Sequence, residues 1–180
     1  MAHRPKSPPF NPPDAEKVRL LPHVRWEVDR LAAEFDLFLE KGERRELELT
    51  LLHARVLADF FDRRREQFEV VSGDYGYRHP VKPVLEGADR TRINQHLPHL
   101  TYLRDSPAPK WRVAQICLPI LLACAAFSRH VATTHLPIPP EERCKWNNEG
   151  PRMDESAQRA LSAGVRGIGA TGEAGSAVPP

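Results

Sequence analysis

Residues 116–127 read ICLPILLACAAF, an unbroken apolar run that starts after Gln115 and ends before Ser128, Arg129 and His130. A membrane span needs about 20 such residues, and a shorter run bounded by polar side chains reads as a buried core helix. The run therefore predicts the central helix of a soluble bundle, from Lys110 to Val131, entered after Pro107 and Pro109. Pro119 lies inside it and removes one backbone donor, so a kink is expected there. Cys117 and Cys124 share a face of this helix and read as small buried hydrophobes.

Upstream, two amphipathic helices are expected. Val24, Val28, Leu31, Phe35 and Phe38 recur at helical spacing, which predicts a helix over Val24–Lys41. Pro22 before it and Gly42 after it are the punctuation such a helix needs. A second helix is expected over Arg45–Arg64, with Leu49, Leu52, Val56 and Phe60 on one face and Leu57 and Phe61 widening it. The short link at Gly42–Arg44 makes the two antiparallel neighbours. Residues 68–87 form a long break rich in Gly and Pro, and Tyr75, Tyr77 and His79 in it suggest that it packs over something. Val70 and Val71 have the composition of a short strand but no nearby partner. A third helix is expected from an N-cap at Asp89 through Arg104, with Ile93, Leu97, Leu100 and Leu103 as its stripe and Pro98 kinking it.

The ends read differently. Five of the 18 prolines fall within Met1–Pro13, and six of the 10 glycines fall from Gly150 onward. Neither end carries the apolar surface that offsets the entropy of ordering, so both are expected to be disordered tails. Asp154–Ala163 is long enough for a helical turn or two, which is marginal in isolation. The N-terminal stretch is basic at His3, Arg4 and Lys6 but has no apolar core, so it does not read as a secretory signal.

Charge and cysteine usage exclude several classes. The formal net charge is +2, which favours no particular partner. Arg63, Arg64 and Arg65 follow a helix end, where the macrodipole favours cations in any case. Three cysteines without paired spacing, Cys117, Cys124 and Cys144, argue against a disulfide framework or a zinc site and suit a reducing cytoplasm. There is no glycine-rich phosphate loop and no nucleophile elbow.

Polar residues then appear where a helix is expected to be apolar. His53 sits on the core-facing stripe of the second helix, where a neutral imidazole with one or two hydrogen bonds is the plain expectation. Arg55 and Asp59 lie four apart on the neighbouring face, the spacing of a surface ion pair. On the third helix Arg92, His96 and His99 lie at i, i+4 and i+7. Two histidines three apart suit one metal ion, but no carboxylate follows Asp89 on this helix to complete a site. Imidazole exchanges protons near neutral pH, and guanidinium stabilises a phosphate that gains charge. Together these groups suit metal-free RNA cleavage through the ribose 2′-hydroxyl. They equally suit a satisfied polar seam between two helices.

The strings LLHARVLADFF and RINQHLPHLTYLR resemble those of a group of bacterial helical-bundle proteins without an assigned function, over roughly residues 24–131. More distantly, the arrangement is similar to the HEPN superfamily. These are four- or five-helix domains, often dimeric, of toxin–antitoxin, abortive-infection and RNA-processing systems. Active members carry an arginine followed after four to six residues by a histidine. Arg90 to His96, with polar Thr91 next, and Arg92 to His99, with apolar Ile93 next, fit that spacing. Pro98 departs from the pattern, because it distorts the helix that would present His99. Many members of the superfamily have lost catalysis and only bind.

The expectation is an all-α, up-and-down bundle of four main helices over residues 23–136, between disordered tails at 1–22 and 137–180. Its function is expected to be that of a HEPN-like, metal-independent endoribonuclease, or an inactive relative, of a prokaryotic defence or toxin–antitoxin system. The resemblance implies that Arg90 and Arg92 engage the scissile phosphate. It implies also that His96 and His99 transfer protons, and that His53 and Asn94 orient them across the helix pair. The alternative is a non-catalytic protein-interaction domain. Expected partners are RNA, a second copy of the chain or a partner protein, with no cofactor, metal or membrane.

Overall fold

The computed structural model describes residues 12–62, 70–80, 83–97 and 111–165. They form five α-helices and one 3-10 turn, with no strand among the described residues. The all-α bundle is as expected, but its bounds and its fourth long helix differ.

The first helix, α1, spans Asp14–Lys41. It begins well before Pro22, which lies inside it, so the expected tail at 1–22 is corrected for Asp14–Pro22. One proline removes one backbone donor. Asp14 and Glu16 favour the positive end of the helix dipole. Leu21 is fully buried beside the proline. Residues 1–11 lie outside the described residues. Gly42 ends the helix at φ 69°, and its N–H donates to the Phe38 carbonyl at 2.9 Å.

After a two-residue link, α2 runs back over Arg44–Asp62. Its buried face is turned relative to the expected one. Thr50, Leu51, His53, Ala54, Leu57 and Ala58 face inward, while Val56 is exposed and Leu49 and Leu52 are half-buried. The reason is that α2 touches both α1 and α4, and the small Ala54 and Ala58 are fully buried on it. A scan for large apolar residues misses such positions. Arg63, Arg64 and Arg65 lie outside the described residues.

The break after α2 packs as its aromatics suggest. Val71 leads into the 3-10 turn Ser72–Tyr75, and its N–H donates to Asp74 Oδ2 at 3.1 Å. Tyr75 and Tyr77 stack edgewise on Phe127, with ring centroids 5.6 and 5.5 Å away. His130 Nε2 lies 2.7 Å from the Tyr75 carbonyl, so that nitrogen carries the proton and donates it. Val70 and Val71 form no strand.

The short α3 spans Gly87–His96, with Glu86 at the N-cap and Asp89 one turn inside, not at the cap as expected. Its described course ends at Leu97. Pro98, His99, Leu100 and Leu103 lie outside the described residues.

The ICLPILLACAAF run lies in α4, Val113–Thr133, with Pro119 inside the helix. Ile116, Cys117, Ile120, Leu121, Cys124 and Phe127 are buried in it. The tail expected over 137–180 is corrected for Pro140–Val165. Pro140–Val165 form a fifth helix, α5, and Trp146 and Met153 on it are fully buried. Residues 166–180 lie outside the described residues. Proline at the first helical position costs no hydrogen bond, so Pro140 starts α5 well. Its inner face is small: Ala157, Ala160 and Ala163 are buried, and a Cβ on Gly150 would stand 3.4 Å from Arg129 Cγ. Alanine is the best helix former and lets helices approach, but adds little to a hydrophobic pattern.

The helix directions follow from the charged pairs. Arg25 with Glu142, Asp29 with Arg152, and Asp36 with Arg159 run in register, so α1 and α5 are parallel. Arg129 with Asp154 and the packing of Ala114 near Gly164 make α4 and α5 antiparallel. It follows that α2 and α4 run the same way.

Candidate functional site

The described residues expected to act together make three separate sets of contacts. Arg90 leaves α3 toward the end of α2. Its Nη1 donates to Asp59 Oδ1, and its Nη2 donates to Asp62 Oδ2 at 2.8 Å. Asp62 also accepts the N–H groups of Val84 (2.9 Å) and Leu85 (3.3 Å). The guanidinium thus clamps α3 and the preceding loop to α2. Two carboxylates already compensate its charge, which leaves little of it for a phosphate. The ion pair that holds Asp59 is thus with Arg90, 31 residues away in the chain.

Arg92 and His96 do converge, on an aromatic ring that sequence reasoning did not single out. The Arg92 guanidinium lies 4.9 Å above Trp111, and the His96 ring meets it edge-on at 6.2 Å. Arg92 also lies 3.8 Å from Asp89. Between them Ile93 is fully buried. The Asn94 Oδ1 is buried and has no hydrogen-bond partner among the described residues. His99 lies outside the described residues.

His53 is elsewhere. Its Nδ1 lies 2.8 Å from Glu27 Oε2, and its ring meets Trp26 edge-on at 5.5 Å. A carboxylate only accepts, so Nδ1 carries the proton. Both partners belong to α1, whereas Asn94 lies on α3. The reason is the helix phase: the His53 side of α2 turns to α1.

Beside this pair lies a groove of about 440 Å³ between α1 and α2, closed at one end by Val70 and Val71. Leu20, Val24, Trp26, Val56 and Phe60 make its wall apolar, and His23, Glu27 and Asp59 are its polar lining. Trp26 is 50% exposed and Val56 38% exposed. The Arg30 guanidinium covers the indole at 5.6 Å. The Glu27 carboxylate lines the groove and the His53 imidazole stands behind it. A pocket of this size with a few placed polar groups is the usual form of a binding site. Nothing in composition or periodicity marks Trp26. The sole sequence signal is an indole on the outer side of the helical wheel of α1.

A second polar seam joins α1 to α5. Arg25 reaches Glu142 (3.1 Å) and Asp29 (3.5 Å), and Arg152 reaches Asp29 and Glu149 (3.4 Å). Burial and then the neighbouring Asp29 carboxylate push the Glu149 carboxyl above the ordinary glutamate range, and the hydrogen bond between the two acids acts in the same direction. The thiols of Cys117 and Cys124 are raised by burial and are inert as nucleophiles at neutral pH.

Comparison with family models, with curated proteins and with solved structures finds no match to this chain.

Proposed function

We propose that this chain is a non-catalytic interaction domain whose α1–α2 groove takes an apolar side chain of a partner protein, flanked there by a lysine or arginine. The observation that carries the reading is Trp26, a half-exposed indole on the rim of an apolar groove. Large exposed aromatics beside a concave wall are the residues that dominate protein interfaces. The carboxylate of Glu27 on the lining favours a basic neighbour in the partner. Two of the polar groups that suggested catalysis have structural partners, which supports this reading: Arg90 is held by two aspartates and His53 by Glu27.

Selection from a displayed library of random peptides tests this. Sequences that share an apolar residue next to Lys or Arg are expected to bind the wild-type chain, and at least about tenfold more weakly to Trp26→Ala, the scale of a lost interface anchor. No enrichment, or equal binding to Trp26→Ala, overturns it.

A metal-independent, HEPN-like ribonuclease is the second reading, and the shared packing of Arg92 and His96 on Trp111 favours it. It requires cleavage of total RNA in the presence of a chelator, leaving cyclic or 3′-phosphate ends. Activity should fall by about a hundredfold or more in His96→Ala, the lower end for an acid–base group.

A further inference from the structure

The groove between α1 and α2 lies along the first half of α1. Its α1 wall runs from Leu20 to Glu27, and Trp26 stands half-exposed near the far end. The chain enters α1 through Pro12, which is buried, and Pro13 at the N-cap. Before them come residues 1–11, MAHRPKSPPFN. This stretch holds Pro5, Pro8 and Pro9, one aromatic side chain, Phe10, and the cations Arg4 and Lys6. The groove offers a complement to each. Trp26 and Phe60 suit the prolines and Phe10, and the Glu27 carboxylate suits a cation. A carboxylate has about four acceptor positions, and the His53 N–H uses one of them.

We propose that the free chain seats its own segment Arg4–Phe10 in this groove, running back along α1, so that a partner binds only by displacing it. The lengths agree. Proline-rich chain favours the polyproline helix, which rises about 3.1 Å per residue, so the stretch from Pro12 back to Lys6 spans about 19 Å. An α-helix rises about 1.5 Å per residue, so Glu27 stands about 20 Å beyond Asp14. Asn11 followed by Pro12 is a turn-forming pair. A segment folded back there sets Lys6 level with Glu27 and leaves Phe10 and Pro9 at the Leu20 end of the apolar wall. An extended proline-rich segment on an aromatic-lined groove is a recurrent mode of recognition, because little entropy is left to lose. The tether does the rest: a short linker gives an effective concentration on the order of a millimolar, which populates even a weak contact. The other end of the chain does not fit. Beyond Arg166 it has no lysine, arginine or aromatic residue, and its Glu173 would repel Glu27. The proposal rests on the same groove as the partner reading and adds its regulation.

Fluorine-19 NMR of the full chain labelled with 5-fluorotryptophan tests it. Trp26, Trp111 and Trp146 give one signal each, and Trp26→Phe assigns the first. A nitroxide on Ser7→Cys, in a Cys144→Ser background whose other cysteines are buried, should broaden the Trp26 signal more than the other two. Adding Phe10→Ala should shift the Trp26 signal and remove that selective broadening. Lys6→Glu should do the same, and raised salt should weaken the contact. Neither substitution touches a described residue, so helical circular dichroism should stay the same. A Trp26 signal indifferent to both substitutions, or broadened no more than those of Trp111 and Trp146, overturns the proposal. Broadening of Trp26 that also appears when nitroxide and fluorine are on different copies assigns the groove to the segment of a second copy and likewise overturns it. The two readings of the groove fail separately. Selected peptides that bind through Trp26, with a Trp26 signal blind to Phe10→Ala, refute the tethered segment alone; a responsive signal with no peptide enriched refutes the partner alone.

Discussion

The imidazole of His53 is buried on α2, and the carboxylate of Glu27 on α1 lies 2.8 Å from it. The two residues are 26 apart in the chain, so the pair ties the helices of the first hairpin together beside the groove. Replacing His53 with Leu removes the bond but leaves Glu27 able to find water, and a cost of about 1 kcal/mol is expected for one such hydrogen bond. His53→Asp sets a second carboxylate against Glu27 in a buried place, and about 3 kcal/mol or more is expected. Urea unfolding measures both. Adding Glu27→Gln to His53→Asp should restore part of the loss, and its failure to do so would separate the two residues. Arg90 is likewise tied across two helices, by Asp59 and Asp62 of α2.

Among the elements, α5 changes the most in meaning between sequence and structure. Its residues Trp146 and Met153 are fully buried, and Phe127 of α4 meets the Trp146 ring edge-on at 5.6 Å. Trp146→Ala should cost about 3–5 kcal/mol, the range for emptying an aromatic site in a core. Trp146→Phe should cost far less, because the indole Nε1 is buried without a hydrogen-bond partner among the described residues and its removal forfeits no bond. Thermal or urea denaturation of the two variants separates them. Equal losses would show that the nitrogen is bonded. Gly150 belongs to the same contact: Arg129 and the Ala125 carbonyl stand against the place of its missing Cβ, at 3.4 and 3.8 Å.

For the molecule as a whole, the α1–α5 seam closes the ring of four long helices, and it is sensitive to pH. Burial first, and the Asp29 carboxylate second, raise the Glu149 carboxyl above its ordinary value. The folded chain therefore holds this proton more tightly than the unfolded chain. The stability it contributes is full below the ordinary glutamate range and is lost as pH rises through the raised, folded value. The urea midpoint should fall along that limb and then level off. Glu149→Gln keeps the hydrogen-bonding shape without the charge and should flatten the limb. A midpoint that rises with pH over the same window in the wild-type chain, relative to Glu149→Gln, would reverse the sign and refute the assignment.

The helical class and the burial of most of residues 116–127 are legible in the sequence, because helical periodicity and an apolar run are local properties. Gly42 as a stop signal is legible for the same reason. Three features belong to the tertiary structure alone. The start of α1 beyond Pro22 and the whole of α5 depend on burial of Leu21, Trp146 and Met153 against distant helices. The inward face of α2 is chosen by two neighbours at once, which turns Val56 outward and His53 toward Glu27. The α1–α5 seam joins residues as far apart as Arg25 and Glu142, 117 positions along the chain. Local spacing states which residues share a face of one helix. Which face meets which is settled only when the helices pack, since alanines and paired charges become core or seam according to what approaches them.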